Sequence, residues 1–208
     1  MFKFSSIFLG LGLVVALMAA PSARAATPAE SFISQNIDRG LSILNNRALS
    51  PPQRMTQFQG FLESLTDLGR IAKFTLGAAR RGASDGDVAS FDAAFRTYAY
   101  VVYQSRLAQY TGQSLKVTGS TERAPGDTIV KTELVDPEQT NQQPLEVDFR
   151  VLSDKGRMFV VDVAIAGVWL AIEERDQFSA FLSQHNGSIP ALVTHLNQLT
   201  AQLRAKIR

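Results

Sequence analysis

The chain has 208 residues, of which 45% are hydrophobic, and its formal net charge is +2. This length is enough for one domain with its own core and is short for two. The chain contains no cysteine, which excludes disulfides and thiolate metal sites, so its stability must come from packing.

The N-terminus predicts a secretory signal peptide. Lys3 is followed by an apolar run from Ile7 to Ala20 and then by the small-residue segment Pro21–Ala25, which is the order found in cleaved signals. A membrane anchor is the alternative. A span needs about 20 apolar residues, however, and Pro21 and Arg24 end the run early.

The charge of the mature chain is expected to be near zero. Residues 1–25 would be removed as the signal, which leaves residues 26–208 as a single domain. The loss of Lys3 and Arg24 brings the 21 basic residues level with the 19 acidic residues. A nucleic-acid-binding domain carries a basic stripe, so we do not expect nucleic acid as a partner.

The first part of the mature chain, about residues 28–110, has the periodicity of helices. The first helix is predicted from Pro28 to about Asn46, and a second begins at Ser50, where serine caps the helix and prolines fill its first turn. A short third helix is predicted from Arg70 to Leu76. Ser84 then caps a long fourth helix that ends at about Tyr110.

The long fourth helix is apolar on two opposite sides. One face carries Phe91, Phe95, Tyr98 and Val102, and the other carries Tyr100, Tyr103, Leu107 and Tyr110. Such a helix has to be covered on both sides. It is either a central core helix, or one of its sides lines a cavity that holds something apolar.

The hydrophobic period changes from helix to strand over about residues 114–166. Four strands are predicted, and their apolar positions lie in Leu115–Val117, Ile129–Val135, Leu145–Val151 and Met158–Ala166. Short turns join the strands, so the sheet should be an antiparallel meander. Two helices over about residues 170–205 complete an α+β arrangement.

No catalytic or metal-binding constellation is recognisable in the sequence. His185 and His195 stand alone on late helices, and no nucleophile elbow or phosphate loop occurs. We therefore predict no enzyme activity, no cofactor and no metal site. Asp162, inside an otherwise apolar strand, is the one candidate for acid–base chemistry, with a hydrogen-bonded structural carboxylate as the alternative. Arg80 and Arg81 are either solvated or in contact with a ligand or headgroup.

Five short segments share the residue patterns of one protein family. They are Ile71–Gly77, Phe91–Tyr98, Leu107–Gln113, Val147–Arg150 and Asp162–Val168. In this order and spacing they resemble the MlaC family of periplasmic phospholipid carriers, also called toluene-tolerance proteins. The resemblance extends over about residues 32–203.

The resemblance implies a curved antiparallel sheet of four strands, wrapped by N-terminal and C-terminal helices around an apolar pocket. Acyl tails would occupy the pocket, and the headgroup would stay outside. The implied role is that of a monomeric periplasmic carrier that shuttles phospholipid between the outer and inner membranes and supports outer-membrane lipid asymmetry. The implied partners are an inner-membrane ABC transporter with an MCE-domain protein and an outer-membrane lipoprotein complex.

Two departures from the family pattern concern the identity of the lipid. Trp169 stands where the family usually has a small residue, and Met158–Phe159 replaces the tryptophan that usually precedes the strand of Asp162. Relatives encoded with hopanoid pathways share the fold, so a hopanoid carrier is an alternative to a phospholipid carrier. A small α+β enzyme that acts on a hydrophobic substrate through Asp162 is a further alternative.

We predict that ten residues on the helices and the sheet form the lipid-binding wall. They are Phe74, Leu76, Tyr98, Val102, Val130, Val147, Phe149, Val161, Val163 and Trp169. Part of this list depends on which face of the fourth strand is inward, because Met158 and Val160 would line the pocket if the parity were reversed. Trp169 lies just past that strand, near one end of the pocket, and either shapes the pocket or fills the core.

Overall fold

The computed structural model describes residues 25–107, 110–137 and 143–207, so residues 1–24 of the predicted signal peptide lie outside the described residues. The helices are α1 (Pro28–Leu44), α2 (Pro51–Leu65), α3 (Leu68–Thr75), α4 (Asp85–Leu107), α5 (Leu170–Gln184) and α6 (Ile189–Ile207), with a 3-10 helix at Gly77–Gly82. The strands are β1 (Ser114–Ala124), β2 (Asp127–Val135), β3 (Leu145–Asp154), β4 (Arg157–Ile165) and β5 (Val168–Trp169).

The first helices begin where side chains satisfy backbone N–H groups that have no partner within the helix. The Thr27 hydroxyl accepts a 3.2 Å hydrogen bond from the N–H of Glu30, whose carboxylate accepts a 2.9 Å bond from the N–H of Thr27. At α4, the Ser84 hydroxyl accepts from the N–H of Asp87 at 3.1 Å. Ser50 occupies the cap position of α2, so the helix starts predicted at Ser50 and Ser84 are confirmed.

The sheet is an antiparallel meander in the order β1-β2-β3-β4-β5. The predicted α+β arrangement is confirmed, but the predicted count of four strands is wrong. After β4 the chain turns back through Ala166 (φ 49°) and Gly167 (φ 82°), and β5 pairs with the end of β4. Two successive residues with positive φ form the tight hairpin turn that usually carries Asn-Gly. The turn could not be recognised from the sequence, because its first position, Ala166, is an alanine and not the usual asparagine.

One face of the sheet packs against α1. The register places Val130 opposite Phe149 and Phe149 opposite Val163, so these three side chains share a face. Val130 and the neighbouring strand residues bury Ala29 and Ile33 of α1 in a common core. The sheet therefore contributes mainly β-branched side chains to this core.

A second core is made only of helices. Phe91 and Phe95 of α4 pack against Phe178 of α5, with ring centroids 5.8 and 6.3 Å apart in edge-to-face geometry. Leu192 and Leu196 of α6 are completely buried in the same cluster. We call this cluster the helical core.

The contact between α1 and α2 depends on a glycine. A Cβ atom at Gly40 of α1 would lie 3.1 Å from the ring of Phe61, so the absence of a side chain lets the two helices approach closely. Phe61 is the one buried residue of α2, a helix that the structure describes in full. This close approach is therefore one of the contacts that position α2.

Candidate functional site

A pocket of about 110 Å³ lies where α3, α4 and α5 meet β4. We call it the α4–α5 pocket. Its apolar wall consists of Leu68, Ile71, Phe95, Ala99, Val102, Val160, Val161, Val163, Leu170 and Ala171. Its polar lining consists of Thr66, Thr75, Tyr98, Tyr103, Asp162 and Glu174. An apolar pocket with a few convergent polar groups is the common form of a site for a small apolar ligand.

A β-bulge in β4 brings consecutive residues of that strand to the pocket. Val160 pairs with Val151, and Asp162 pairs with Arg150, which leaves Val161 without a partner on β3. A bulge of this kind inserts one extra residue and breaks the alternation of faces. The choice between two strand parities therefore does not apply here, because Val160 and Val161 both line the pocket.

Asp162 holds the start of α5 in place. Its Oδ1 atom accepts a 2.9 Å hydrogen bond from the N–H of Ala171, in the first turn of α5, and a 2.8 Å bond from the N–H of Val163. Burial raises the pKa of this carboxyl, and the two N–H groups partly oppose the shift. Asp162 is thus a hydrogen-bonded structural carboxylate, and it caps a helix from a strand eight residues earlier in the chain.

The pocket contains a second carboxyl, that of the half-buried Glu174. Its Oε1 atom accepts a 3.3 Å hydrogen bond from the Tyr98 hydroxyl, while its Oε2 atom is buried without a hydrogen-bond partner among the described residues. Burial raises the pKa of Glu174. Burial and the nearby Glu174 carboxylate also raise the pKa of Tyr98 to about 12. This phenol is therefore neutral at physiological pH.

Another pocket, of about 180 Å³, lies under α1 and α2 and is almost entirely apolar. We call it the α1–α2 pocket. Its lining consists of Ile33, Asn36, Ile37, Gly40, Leu41, Leu44, Phe58, Phe61, Leu62, Leu65, Leu115 and Phe149. It occupies the side of the sheet that faces α1, because Phe149 belongs to that face.

The two pockets are separated by a thin layer of side chains. Leu65 lines the α1–α2 pocket and the next residue, Thr66, lines the α4–α5 pocket. On the sheet, Phe149 of one pocket lies directly opposite Val163 of the other. A dry cavity of about 150 Å³ holds one benzene molecule, so the α1–α2 pocket in this conformation has room for a group of about that size and the α4–α5 pocket for a smaller one.

The ten predicted wall residues are distributed over several parts of the molecule. Four of them line the α4–α5 pocket, namely Tyr98, Val102, Val161 and Val163, and Phe149 lines the α1–α2 pocket. Leu76 is buried in the helical core and Val130 in the core under α1.

The remaining three predicted residues line neither pocket. Phe74 is 40% exposed on α3, where the guanidinium of Arg175 lies 5.3 Å from its ring centroid. Val147 is half-buried in β3, where its carbonyl accepts a hydrogen bond from the Thr132 hydroxyl. Trp169 is half-buried in β5. A role of these residues in lipid contact stays a prediction.

Sequence reasoning missed Glu174 and Tyr103 as pocket residues. Glu174 lies three residues after Ala171 and four before Phe178, which are both buried, so it lies on the inward face of α5. Tyr103 was assigned to the opposite side of α4 from Val102, but both residues line the pocket.

Basic side chains collect on the other side of α3. Arg70, Lys73, Arg80, Arg96 and Arg175 line a surface groove there, with Asp67 as its acidic lining residue. Arg96 pairs with Asp92 at 2.7 Å and Arg175 with Asp176 at 2.8 Å. The cationic lining of this groove contrasts with the α4–α5 pocket, whose lining includes no Lys, Arg or His.

The described ranges contain neither a cluster of metal-ligating side chains nor a helix that could span a membrane. Residues 25–107, 110–137 and 143–207 contain no group of three or more His, Cys, Asp or Glu side chains placed to hold a metal ion. In the same ranges, every helix is too short or too polar to cross a membrane.

Comparison with known proteins gives one family and one fold. The family model described as "MlaC protein" matches residues 34–198. A solved structure with the same fold is the phospholipid-binding protein of Ralstonia solanacearum in complex with a phospholipid. Its TM-score is 0.72 at 21% sequence identity, and the alignment covers 86% of this chain and 99% of that chain. No curated protein sequence matches significantly. The family resemblance expected from five short segments is thus confirmed over most of the length, and the chain belongs to the MlaC protein family.

Proposed function

We propose that this protein is a periplasmic lipid carrier that shuttles phospholipid, or a similar apolar lipid, between the outer and inner membranes. The observation that carries the proposal is the pair of apolar pockets on the two sides of the Phe149–Val163 contact. Membership of the MlaC family supports it, as does the phospholipid bound by the Ralstonia solanacearum protein of similar fold.

The energetic task of such a carrier explains why the interior has to be apolar. A diacyl lipid with about 30 methylenes has roughly 25 kcal/mol of apolar transfer free energy at about 0.8 kcal/mol per methylene. A shallow surface groove would leave much of this area in water. The carrier therefore needs a deep pocket lined by side chains such as Val102, Ile37 and Leu62, which line the two pockets described above.

The pockets have to widen to hold a lipid. Together they are far smaller than the volume of two acyl chains, given that a six-carbon ring needs about 150 Å³. We infer that they merge when Phe149 and Leu65 move apart. The helix best placed to move is α2, because it buries only Phe61. The helical core, with its interlocked rings, would stay fixed during this motion.

The proposed transport cycle requires partners at both membranes. We propose that the protein receives or delivers lipid at an outer-membrane lipoprotein complex and at an inner-membrane ABC transporter with an MCE-domain protein, and that it acts as a monomer. Residues 1–25 would direct secretion to the periplasm, and residues 26–208 would form the lipid-carrier domain. Val168 and Leu170, which are 52% and 40% exposed, offer apolar surface for such contacts next to the α4–α5 pocket.

The proposal favours binding over catalysis. An enzyme acting through Asp162 would need a carboxyl free to exchange protons with a substrate. The Oδ1 atom of Asp162 is instead engaged by the N–H groups of Val163 and Ala171. Family membership points in the same direction, toward a binding or transport protein.

The test is the lipid content of protein purified from the periplasm. Organic extraction followed by mass spectrometry should find about one lipid molecule per chain. Val163→Asp places a charge in the pocket wall and should abolish this lipid. The same change at Val135, which is 46% exposed at the end of β2 and lines neither pocket, should leave the lipid in place. Both variants need a folded circular dichroism spectrum for the comparison to count. Folded wild-type protein without lipid, in extracts and after incubation with phospholipid vesicles, would contradict the proposal.

A further inference from the structure

One polar group of the α4–α5 pocket has a hydrogen-bonding atom that no described residue pairs. Glu174 enters the pocket because it occupies the buried stripe of α5, between Ala171 and Phe178. Its Oε1 atom accepts the hydrogen bond from Tyr98, and its Oε2 atom is buried without a partner among the described residues. A buried acceptor that lacks a donor is costly, and in native proteins it calls for an explanation.

The other polar groups of the pocket do not supply the missing donor. Asp162 is itself an acceptor, and its Oδ1 atom is engaged by backbone N–H groups. The pKa of the Tyr103 phenol is raised by burial and by the Asp162 carboxylate, which indicates that it lies near Asp162. Cationic side chains of the same elements, such as Lys73 and Arg175, line the groove on the other side of α3. The Oε2 atom of Glu174 therefore has no donor among the described residues, and Glu174 itself lines the space that a ligand would occupy.

We propose that Glu174 accepts a hydrogen bond from a donor group of the carried lipid, either a hydroxyl or an ammonium group, and so selects lipids that bring such a donor into the α4–α5 pocket. This inference rests on the proposed carrier function and names the class of lipid that fits it. A hydrocarbon tail alone leaves Oε2 unpaired. A donor inserted beside Tyr98 pairs it.

The charge of the pocket argues against a buried phosphate. Asp162 and Glu174 are acidic, and the residues that line the pocket include no cation. Like charges at short range in a medium of low dielectric repel strongly. The phosphate of a phospholipid would therefore stay outside this pocket, and the group next to Glu174 is neutral or positive.

The experiment uses delipidated full-length mature protein and three probes with one C18 chain and different ends. Octadecanol carries a hydroxyl donor, octadecylamine carries an ammonium donor, and octadecyl methyl ether carries no donor. Each probe displaces the fluorescent hydrocarbon diphenylhexatriene from the protein, which gives its relative affinity. We expect the alcohol, the amine or both to bind about tenfold or more tightly than the ether, as for hydrogen bonds to a charged group. The arm that shows the preference identifies hydroxyl or ammonium as the donor.

Variants then assign the preference to the carboxylate. Glu174→Leu should bring all three probes to similar affinity, and Glu174→Gln, which keeps the shape of the side chain, should abolish a preference for the amine. Glu173→Gln is the matched control, because Glu173 is exposed one position away, and it should retain the wild-type order. Equal binding of all three probes by the wild type would overturn the role of Glu174 and leave the carrier function standing. Failure to bind diphenylhexatriene and every probe would count against the carrier function itself.

Discussion

The helical core and the sheet side of this protein solve the burial of apolar area in different ways. In the helical core, three phenylalanine rings interlock and α6 contributes leucines without exposed area. On the sheet side, two pockets remain beside Phe149 and Val163, and α2 buries one ring. The difference teaches that one chain combines a tightly packed region with a region that contains pockets, joined by Asp162 and α5. We call the second region the expandable side, because the proposed carrier function requires its pockets to widen.

The largest expected effect is a loss of stability in the helical core. Phe178→Ala removes the ring that contacts both Phe91 and Phe95 and should reduce the free energy of unfolding by about 3–5 kcal/mol. Phe58→Ala, in the α1–α2 pocket, is the comparison on the expandable side and should cost about 1 kcal/mol. Urea unfolding followed by circular dichroism measures both. Equal losses would show that the two regions are equally well packed.

The next effect concerns the hydrogen bonds of Asp162, which connect β4 to the start of α5. Asp162→Ala removes the acceptor for the N–H groups of Ala171 and Val163, and should cost about 1–3 kcal/mol of unfolding free energy. Asp162→Asn keeps an oxygen that accepts hydrogen bonds and should cost less. Hydrogen exchange at the Ala171 amide measures directly whether its hydrogen bond to Asp162 is present. An unchanged exchange rate in the alanine variant would contradict the capping role.

A smaller effect is expected at the rim of the expandable side. Trp169 is half-buried in β5, so Trp169→Ser should cost about 1 kcal/mol, less than the loss for a fully buried tryptophan. If the indole shapes the pocket, the variant should also carry a different set of lipids, as measured by mass spectrometry of extracts. A large loss of stability with the wild-type lipid profile would make Trp169 a core residue instead.

The smallest expected effect is a pH dependence of stability that arises from Glu174 in the α4–α5 pocket. Burial raises the pKa of Glu174, with Tyr98, Tyr103, Asp162 and Glu173 as its titratable neighbours. The folded state then holds the proton more tightly than the unfolded state does, so the ionised group lowers stability as pH rises through the raised pKa.

Glu174→Gln should therefore raise the melting temperature of lipid-free protein at pH 7. This gain should shrink as pH falls, and vanish below the ordinary pKa of a glutamate, where the carboxyl is protonated in both states. Thermal unfolding of variant and wild type between pH 4 and 7 measures it. A gain that is independent of pH would assign the effect to packing.

Much of the fold was predictable because local chemistry and the tertiary structure agree. Helices begin at Ser50 and Ser84 as the sequence predicts, and the alternating strands form the expected meander. The fifth strand was not predictable, because Ala166 adopts a left-handed conformation that alanine rarely favours.

Less of the candidate site was predictable. Periodicity placed Tyr98 and Val102 on one face of α4, and both line the α4–α5 pocket. Alternation of faces did not predict which residues of β4 line the pocket, because the bulge at Val161 shifts the register. A bulge cannot be recognised from the sequence of a strand that is apolar at almost every position. The burial of Glu174 depends on which face of α5 meets the sheet, and this is decided by tertiary packing.

The close approach at Gly40 has a consequence for how this protein could diversify. Any side chain at position 40 would press on the ring of Phe61, 3.1 Å away at its nearest atom, and would push α2 outward. That displacement would enlarge the α1–α2 pocket without altering a polar group or a residue of the helical core. A single substitution at this position would then change the volume of the α1–α2 pocket. Homologues with a larger residue there would accept a bulkier ligand and keep the same fold.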